Sequence, residues 1–342
     1  MGLLLPFFDN YDKSVIFASM KTIFLKDGEM AEIPPCVATI GFFDGVHRGH
    51  RWLILHVMEQ AKARGLKSAV ITFDRHPRQV LQQDYQPQLL TTFDEKLKHL
   101  SHNPIDDCVV VPFTPELAAM SARQFMQEVL VQKVQVRHLV VGYDHRFGHD
   151  RSEGFSDYQR YGQELGITVE QWDDVYENRG KNVSSSLVRQ YLREGEMEQA
   201  GECLGYYYEM RGRVIHGHQI GRQLGFPTAN IEVASEKLIP AAGVYAVQAW
   251  TEGSLLPWPA MMNIGVRPTV GDGLLALEVH IFGFSGILYD QQLEVHLLHR
   301  MREERHFSGF AELADHLQED AEAVKAYFRK EYPEWTGGHA LR

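Results

Sequence analysis

Near Leu204 the hydrophobic pattern of this 342-residue chain changes period, and that change limits what the chain can fold into. Before it, short β-rich runs alternate with amphipathic stretches. Lys21–Leu25, Cys36–Ile40, Ser68–Phe73, Cys108–Val111, His138–Val141 and Ile167–Trp172 read as strands. Helices are expected over Gly49–Ala63, Phe93–Ser101, Ala122–Gln132 and Phe155–Leu165, and again from Ser184. Strands separated by helical crossovers imply a doubly wound parallel α/β sheet, whose ligands sit beyond the carboxyl ends of the strands. After Leu204, strands follow one another: Tyr208–Ile215, Val244–Trp250, Ala260–Ile264, Leu275–Phe282 and Gln292–Leu298. That texture predicts a small, closed antiparallel β-barrel. A final helix, Phe310–Tyr327, carries Leu313, Leu317, Val324 and Phe328 at helical spacing. Two domains are expected, at residues 20–192 and 205–332, with the boundary near Arg193–Tyr206.

Charge and cysteine usage narrow the function classes. A formal net charge of -11 argues against general binding to nucleic acid or an anionic membrane. It leaves room for a small phosphorylated substrate, which needs only a few donors or a helix N-terminus. Cys36, Cys108 and Cys203 are too few and too far apart for a disulfide framework or a zinc site, so reduced thiols and a cytoplasmic location are expected. No apolar run approaches a membrane span. The opening Met-Gly-Leu-Leu-Leu-Pro-Phe-Phe lacks the basic start of a signal peptide, and Pro6 stands where a myristoylation motif needs Ser or Thr. Met20, just before the first strand, is a candidate native start. None of this fixes an oligomeric state.

The most informative segment is Gly41-Phe-Phe-Asp-Gly-Val-His-Arg-Gly-His50, between a strand and a helix. Gly41, Gly45 and Gly49 let backbone amides approach a ligand, and the new helix points its unpaired N–H groups at the same place. His47 and His50, three apart in a first turn, would share a face and donate to phosphate oxygens as charge builds there. From spacing alone, a glycine turn with two incidental histidines accounts for the segment equally well. No Gly-Lys-Ser/Thr follows, which excludes a P-loop, and there is no GxGxxG dinucleotide fingerprint.

The segment resembles the G-x-F-D-G-x-H-x-G-H signature of the HxGH nucleotidyltransferase superfamily, in its FAD synthetase branch, with Phe42 where that branch usually has Asn. Thr72-Phe-Asp-Arg-His-Pro77 resembles the branch's T-F-E-P-H-P stretch, and Pro112-Phe113 and Ser121…Phe125 match another. Gly142-Tyr-Asp-His-Arg-Phe-Gly148 is similar to its G-x-x-x-x-F-G loop, so Gly142, Asp144, Phe147 and Gly148 are expected to line flavin and nucleotide. Val183-Ser-Ser-Ser-Leu-Val-Arg189 resembles I-S-S-T-x-I-R, which implies that Ser184, Ser185 and Arg189 face ATP phosphates; a helix N-cap explains the serines equally well. With Gly41, Phe43, Asp44, Gly45, Gly49, His47 and His50, these positions imply a Rossmann-like domain that transfers AMP from ATP to the phosphate of FMN. An anionic acceptor needs positioning and charge neutralisation rather than an activated nucleophile.

In the β-rich half, glycines at 217, 221 and 225 would let the string Gly217-His-Gln-Ile-Gly-Arg-Gln-Leu-Gly-Phe-Pro-Thr-Ala-Asn230 wrap a polyphosphate. Composition alone favours an ordinary glycine-rich turn. Thr228 and Asn230 would fall on one side of the segment if it is extended, and two neutral oxygens together with ATP phosphates and waters can complete a magnesium octahedron. The string resembles the G-x-x-x-G-R-x-L-G-F-P-T-A-N motif of riboflavin kinases, which implies ATP binding by Gly217, Gly221, Arg222, Gly225 and Pro227 and Mg²⁺ binding by Thr228 and Asn230. Ala260-Met-Met-Asn-Ile-Gly-Val-Arg-Pro-Thr269 resembles that family's A-N-I-G-x-R-P-T loop. Leu275–Ile281 alternates Leu275, Leu277, Val279 and Ile281 against Glu278 and His280, and alternation alone favours a solvated face for the latter pair. The resemblance implies that Glu278 is the general base for the ribityl hydroxyl. Arg302-Glu-Glu-Arg-His-Phe307 resembles R-D-E-x-x-F and is expected to close the flavin pocket.

Together the two motif sets are those of the bifunctional prokaryotic riboflavin kinase/FAD synthetase family, which implies riboflavin, FMN, FAD and ATP as ligands. The alternatives are a chain retaining one activity only and a non-catalytic flavin-binding regulator. A nucleic-acid-binding barrel finds no basic, aromatic-interleaved patch.

Overall fold

A computed structural model describes residues 20–26, 29–81, 84, 86–143, 145–149, 152–217, 221, 224–266, 275–305, 309–333 and 335. The chain divides into two compact units, with the break between Ser185 and Ser186.

The first unit is built on six strands: β1 (Lys21–Phe24), β2 (Cys36–Ile40), β3 (Lys67–Phe73), β4 (Asp107–Val111), β5 (Val136–Gly142) and β6 (Thr168–Trp172). Their order is β1-β4-β3-β2-β5-β6, and every pairing is parallel. Period-2 alternation sends side chains to two apolar faces. Ala38, Ile40, Ala69, Ile71, Val109, Leu139 and Val141 enter one core. Val70, Cys108 and Val110 enter a second, and Val37 and Val140 a third. A sheet buried on both faces needs helical crossovers on both. They come as α1 (Arg48–Arg64), α2 (Pro77–Leu81), α3 (Phe93–Ser101), α4 (Pro115–Ala118), α5 (Ala122–Phe125) and α6 (Phe155–Leu165). Residues Met126–Lys133 extend α5 as a π-helix, where the sequence pattern predicts one continuous α-helix. Strand order runs one way from β2 through β3 to β4, and the other way from β5 to β6. The topological switch therefore lies between β2 and β5, where such sheets open a crevice for ligands.

A two-stranded ribbon, β7 (Glu177–Asn178) with β8 (Lys181–Asn182), ends this unit. In the second unit, α7 (Ser185–Glu194) and α8 (Met197–Leu204) precede the barrel. The unit break falls at the first residue of α7, earlier than the pattern change at Leu204. The physical reason is packing: the Ala241 amide donates to the Leu192 carbonyl (3.0 Å), and α8 lies against the barrel. The barrel strands are β9 (Tyr208–Ile215), β10 (Ala229–Val233), β11 (Gly243–Thr251), β12 (Trp258–Val266), β13 (Leu275–Ile281) and β14 (Gln292–Glu303). They close in the order β10-β13-β12-β11-β14-β9, antiparallel throughout, so no described edge is left unpaired. The last helix, α9 (Phe310–Glu331), buries Ala321, Val324 and Phe328 against Val244, Ala246, Met261 and Leu298 of the barrel's outer face. Arg302 on β14 grips the buried Asp320 of α9 with two charged hydrogen bonds, 2.7 and 2.6 Å. All three cysteines are free and buried. Among the described residues, no helix is long and apolar enough to cross a membrane.

Phe328 is fully buried and stacks on Trp335. Replacing it with Ala should cost about 3–5 kcal/mol. Amide hydrogen exchange of the full chain checks this: β11 and β14 should lose protection while β3 and β4 keep theirs.

Candidate functional site

The loop that follows β2 sits at the switch point, and its backbone is strained. Phe43 (φ 56°), Gly45 (φ 78°) and Val46 (φ 36°) all have positive φ, which for a β-branched valine is an outlier. Asp44 holds this shape. Its buried carboxylate accepts the Leu90 amide (2.9 and 3.1 Å), the Thr91 amide (3.2 Å) and the Thr91 hydroxyl (3.4 Å), while the Gly45 amide donates to Thr91 Oγ1 (3.1 Å). The Ser185 hydroxyl donates to the Asp44 carbonyl (2.9 Å). A Cβ at Gly41 would come 3.1 Å from the Phe43 ring, which would have to give way.

This geometry launches α1 with His47 as its N-cap, where Nδ1 accepts the His50 amide (3.3 Å). The two imidazoles stack at 3.6 Å, and His50 meets Phe43 edge-on. Gly49 makes the stack possible: a Cβ there would lie 3.2 Å from the His47 ring and 3.0 Å from the Val183 carbonyl. Burial, with His47, His145 and Lys96 adding positive charge, holds His50 well below its ordinary pKa, so it is neutral near pH 7. Its Nδ1 is sealed from solvent and has no partner among the described residues, the sort of orphan that marks a ligand site. The unit thus presents two stacked imidazoles, that of His50 neutral, at the positive end of a long helix, suited to anionic oxygens.

Across the switch, Gly142 ends β5, and its carbonyl accepts the His145 amide (3.0 Å). Gly148 (φ 99°) leaves no room for a Cβ, which would stand 2.9 Å from the Ala122 nitrogen. Phe147 turns inward and stacks on Tyr158 at 4.2 Å, while the Tyr158 hydroxyl bonds to the Phe147 backbone. It is therefore a floor under the loop. Asp144 lies outside the described residues. Ser184 is exposed just ahead of α7, and Arg189 is on α7 in the second unit. Lys96 and His145 are the charged and polar neighbours of His50 that motif reading passed over; burial and electrostatics reveal them, and spacing alone does not.

In the barrel, register brings three polar residues side by side. Glu278 on β13 pairs with Asn230 on β10 and with Asn263 on β12. Asn263 belongs to the quoted Ala260–Thr269 segment, but only strand pairing places it beside Glu278. Thr228 precedes β10, and Gly217 lies against Asn230: a Cβ at 217 would come 2.3 Å from the Asn230 amide nitrogen. Gly221 accepts the Phe226 amide (2.7 Å), and Gly225 has φ 84°. The Pro227 carbonyl pairs with His280 Nδ1 (2.9 Å), which ties the Pro-Thr segment to β13. Arg222, Arg267–Thr269, His306 and Phe307 lie outside the described residues. Thr228, Asn230, Asn263 and Glu278 carry hard oxygen atoms, the donor type that magnesium takes. Elsewhere in the barrel, Glu209, Glu294 and His296 bring ligand-type atoms within 4.8 Å of one another. There the imidazole pairs with both carboxylates (2.8 and 3.5 Å), which raise its pKa against the effect of burial.

Comparisons with known proteins match each half of the chain to a family. Residues 29–187 match the family model described as FAD synthetase, and residues 204–328 the one described as riboflavin kinase. A bifunctional riboflavin kinase/FMN adenylyltransferase of Pseudomonas fluorescens is 38% identical over 292 residues, covering 85% of this chain and 92% of its own. The protein of that name from Escherichia coli strain K12 is 36% identical over 293 residues, covering 86% and 93%. A crystal structure described as a macrolide-efflux protein from Streptococcus pneumoniae superposes with a TM-score of 0.78 at 27% identity, covering 90% of this chain and 99% of that one.

Asp44→Ala should remove the support of the strained loop. Each lost charged hydrogen bond is worth about 1.5–3 kcal/mol, and the liberated amides stay buried. Hydrogen exchange at Leu90 and Thr91 should accelerate by about two orders of magnitude or more, with the barrel amides unchanged.

Proposed function

We propose, because this chain belongs to the family of bifunctional riboflavin kinase/FMN adenylyltransferases, that it phosphorylates riboflavin to FMN and then adenylates FMN to FAD. The observation that carries this reading is the presence in one chain of both family matches, over residues 29–187 and 204–328. We assign adenylyl transfer to residues 20–192 and the kinase to residues 205–332. Three free thiols support a cytoplasmic place of work.

In the kinase step, the terminal ribityl oxygen of riboflavin bonds to the γ-phosphorus of ATP, the bond to the β-bridging oxygen breaks, and ADP leaves. Glu278 accepts the hydroxyl proton, flanked by Asn230 and Asn263. Gly217, Gly221, Arg222, Gly225 and Pro227 wrap the polyphosphate, and Thr228 and Asn230 would hold Mg²⁺. The metal, when bound, neutralises phosphate charge.

In the second step, a phosphate oxygen of FMN bonds to the α-phosphorus of ATP and pyrophosphate leaves, with no proton to remove. Gly41, Phe43, Gly45 and Gly49 shape the loop so that His47, His50 and the α1 N-terminus face the phosphates. Ser184 and Arg189 are assigned to ATP phosphates. Ser185 and Asp44 serve the same site by fixing the loop. Gly142, Asp144, Phe147 and Gly148 form the flavin and nucleotide loop, with Phe147 as its packed floor.

His50→Ala should lower FAD formation about 10²–10³-fold, the cost of one preorganised donor, while FMN still accumulates from riboflavin. Glu278→Gln should lower riboflavin phosphorylation about 10²–10⁴-fold and leave FAD synthesis from supplied FMN intact. Chromatography of flavins after incubation with Mg-ATP reads both. Loss of both activities from either folded variant would contradict the assignment of two sites.

A further inference from the structure

Lys96 on α3 is 2% exposed and, among the described residues, has no carboxylate partner. Its Nζ donates to the Phe73 carbonyl (2.8 Å) at the carboxyl end of β3, lies 4.2 Å from the centre of the Phe42 ring and lies 5.3 Å from that of Phe93. An ammonium has three donors, and among the described residues one is engaged. The titratable groups around it are Asp44 of the histidine loop, Asp74 beyond β3, Cys108 on β4 and His50 on α1. None of them neutralises it by contact. The Asp44 carboxylate is turned to Leu90 and Thr91, and the Asp74 carboxylate accepts from Arg75 and from the Phe113 amide (2.8 Å). Cys108 is neutral, pushed up to about 12 by burial. Lys96 itself is lowered to about 8, chiefly by desolvation. A buried ammonium without a counter-ion destabilises the unliganded fold, so a purely structural reason for it is lacking.

Position supplies a reason. The ammonium sits at the carboxyl ends of the strands, on the side where the sheet takes its ligands, and it is close enough to bear on the charge of His50. Phe42, which replaces the Asn usual in the signature loop, places its ring over the ammonium and bonds through its carbonyl to the Thr72 hydroxyl (3.2 Å). We propose that Lys96 is a positioning residue for adenylyl transfer: its ammonium, fixed between the Phe73 carbonyl and the Phe42 ring, is a positive charge beneath the histidine loop that draws the triphosphate. This rests on the adenylyl-transfer reading. The triphosphate supplies a counter-charge that the described residues do not, so substrate binding relieves the unfavourable burial.

The test uses Lys96→Met, which keeps the shape and removes the charge, and Lys96→Arg, which keeps the charge at any accessible pH. Both are made in the full chain, with riboflavin phosphorylation as the internal control. Lys96→Met should lower kcat/KM for FAD formation on the order of thirtyfold, as expected for one desolvated charge. Hydrogen exchange of β3 and β4 should be as slow as in the wild type, or slower. In the wild type, FAD formation should fall as pH rises through the deprotonation of Lys96, near 8 or higher once ATP is bound. Lys96→Arg should retain activity and lose that decline. The proposal is overturned if Lys96→Met keeps FAD formation within about threefold. It is equally overturned if that variant loses activity together with faster exchange in β3 and β4, or if Lys96→Arg shows the wild-type decline. A wild-type chain that makes no FAD from FMN at any pH would instead contradict the adenylyl-transfer reading itself.

Discussion

The adenylyl-transfer half depends on one buried carboxylate. Asp44 gathers two backbone amides and a hydroxyl from residues 90–91, and so holds Phe43, Gly45 and Val46 in a conformation that costs about 1–3 kcal/mol per strained non-glycine residue. Three charged hydrogen bonds are enough to offset that. From the strained turn follow the His47 N-cap, the start of α1 and the stacked imidazoles. The same turn stands at the point where strand order reverses, so a local conformational cost is placed where the sheet offers a crevice.

In the barrel the corresponding constraint is closure. Once six strands pair in a ring, register is no longer free to slip, because a one-residue shift would send core side chains outward. Register then fixes Glu278 between Asn230 and Asn263, and it fixes Gly217 against the Asn230 amide. A carboxylate and two carboxamides are brought side by side there without being neighbours in sequence. The bidentate Arg302–Asp320 pair locks α9 to the barrel strand that leads into the Arg302–Phe307 segment.

Much of this was legible in the chain. The change of period near Leu204 separated a parallel sheet from an antiparallel barrel, and His47, His50, Asn230 and Glu278 stood in recognisable strings. What the strings concealed was direction. Asp44 and Ser185 read as phosphate ligands, yet their side chains hold the loop, because their partners come from residues 44, 90 and 91, which only the tertiary fold brings together. Phe147 read as a lining ring, yet it packs on Tyr158. Lys96 stands in none of those strings; its burial is a property of the folded interior. The boundary was blurred because α7 and α8 continue the helical texture of the first half while packing with the second.

The central claim is that one chain carries out two successive transfers from ATP to the same flavin. The most direct measurement is a time course of the wild-type chain with riboflavin and Mg-ATP, following flavins, ADP and pyrophosphate together. The account predicts that FMN appears first and gives way to FAD, with one ADP and one pyrophosphate released for each FAD formed. Flavin that stays unmodified while bound, or FAD formed without stoichiometric pyrophosphate, would contradict it.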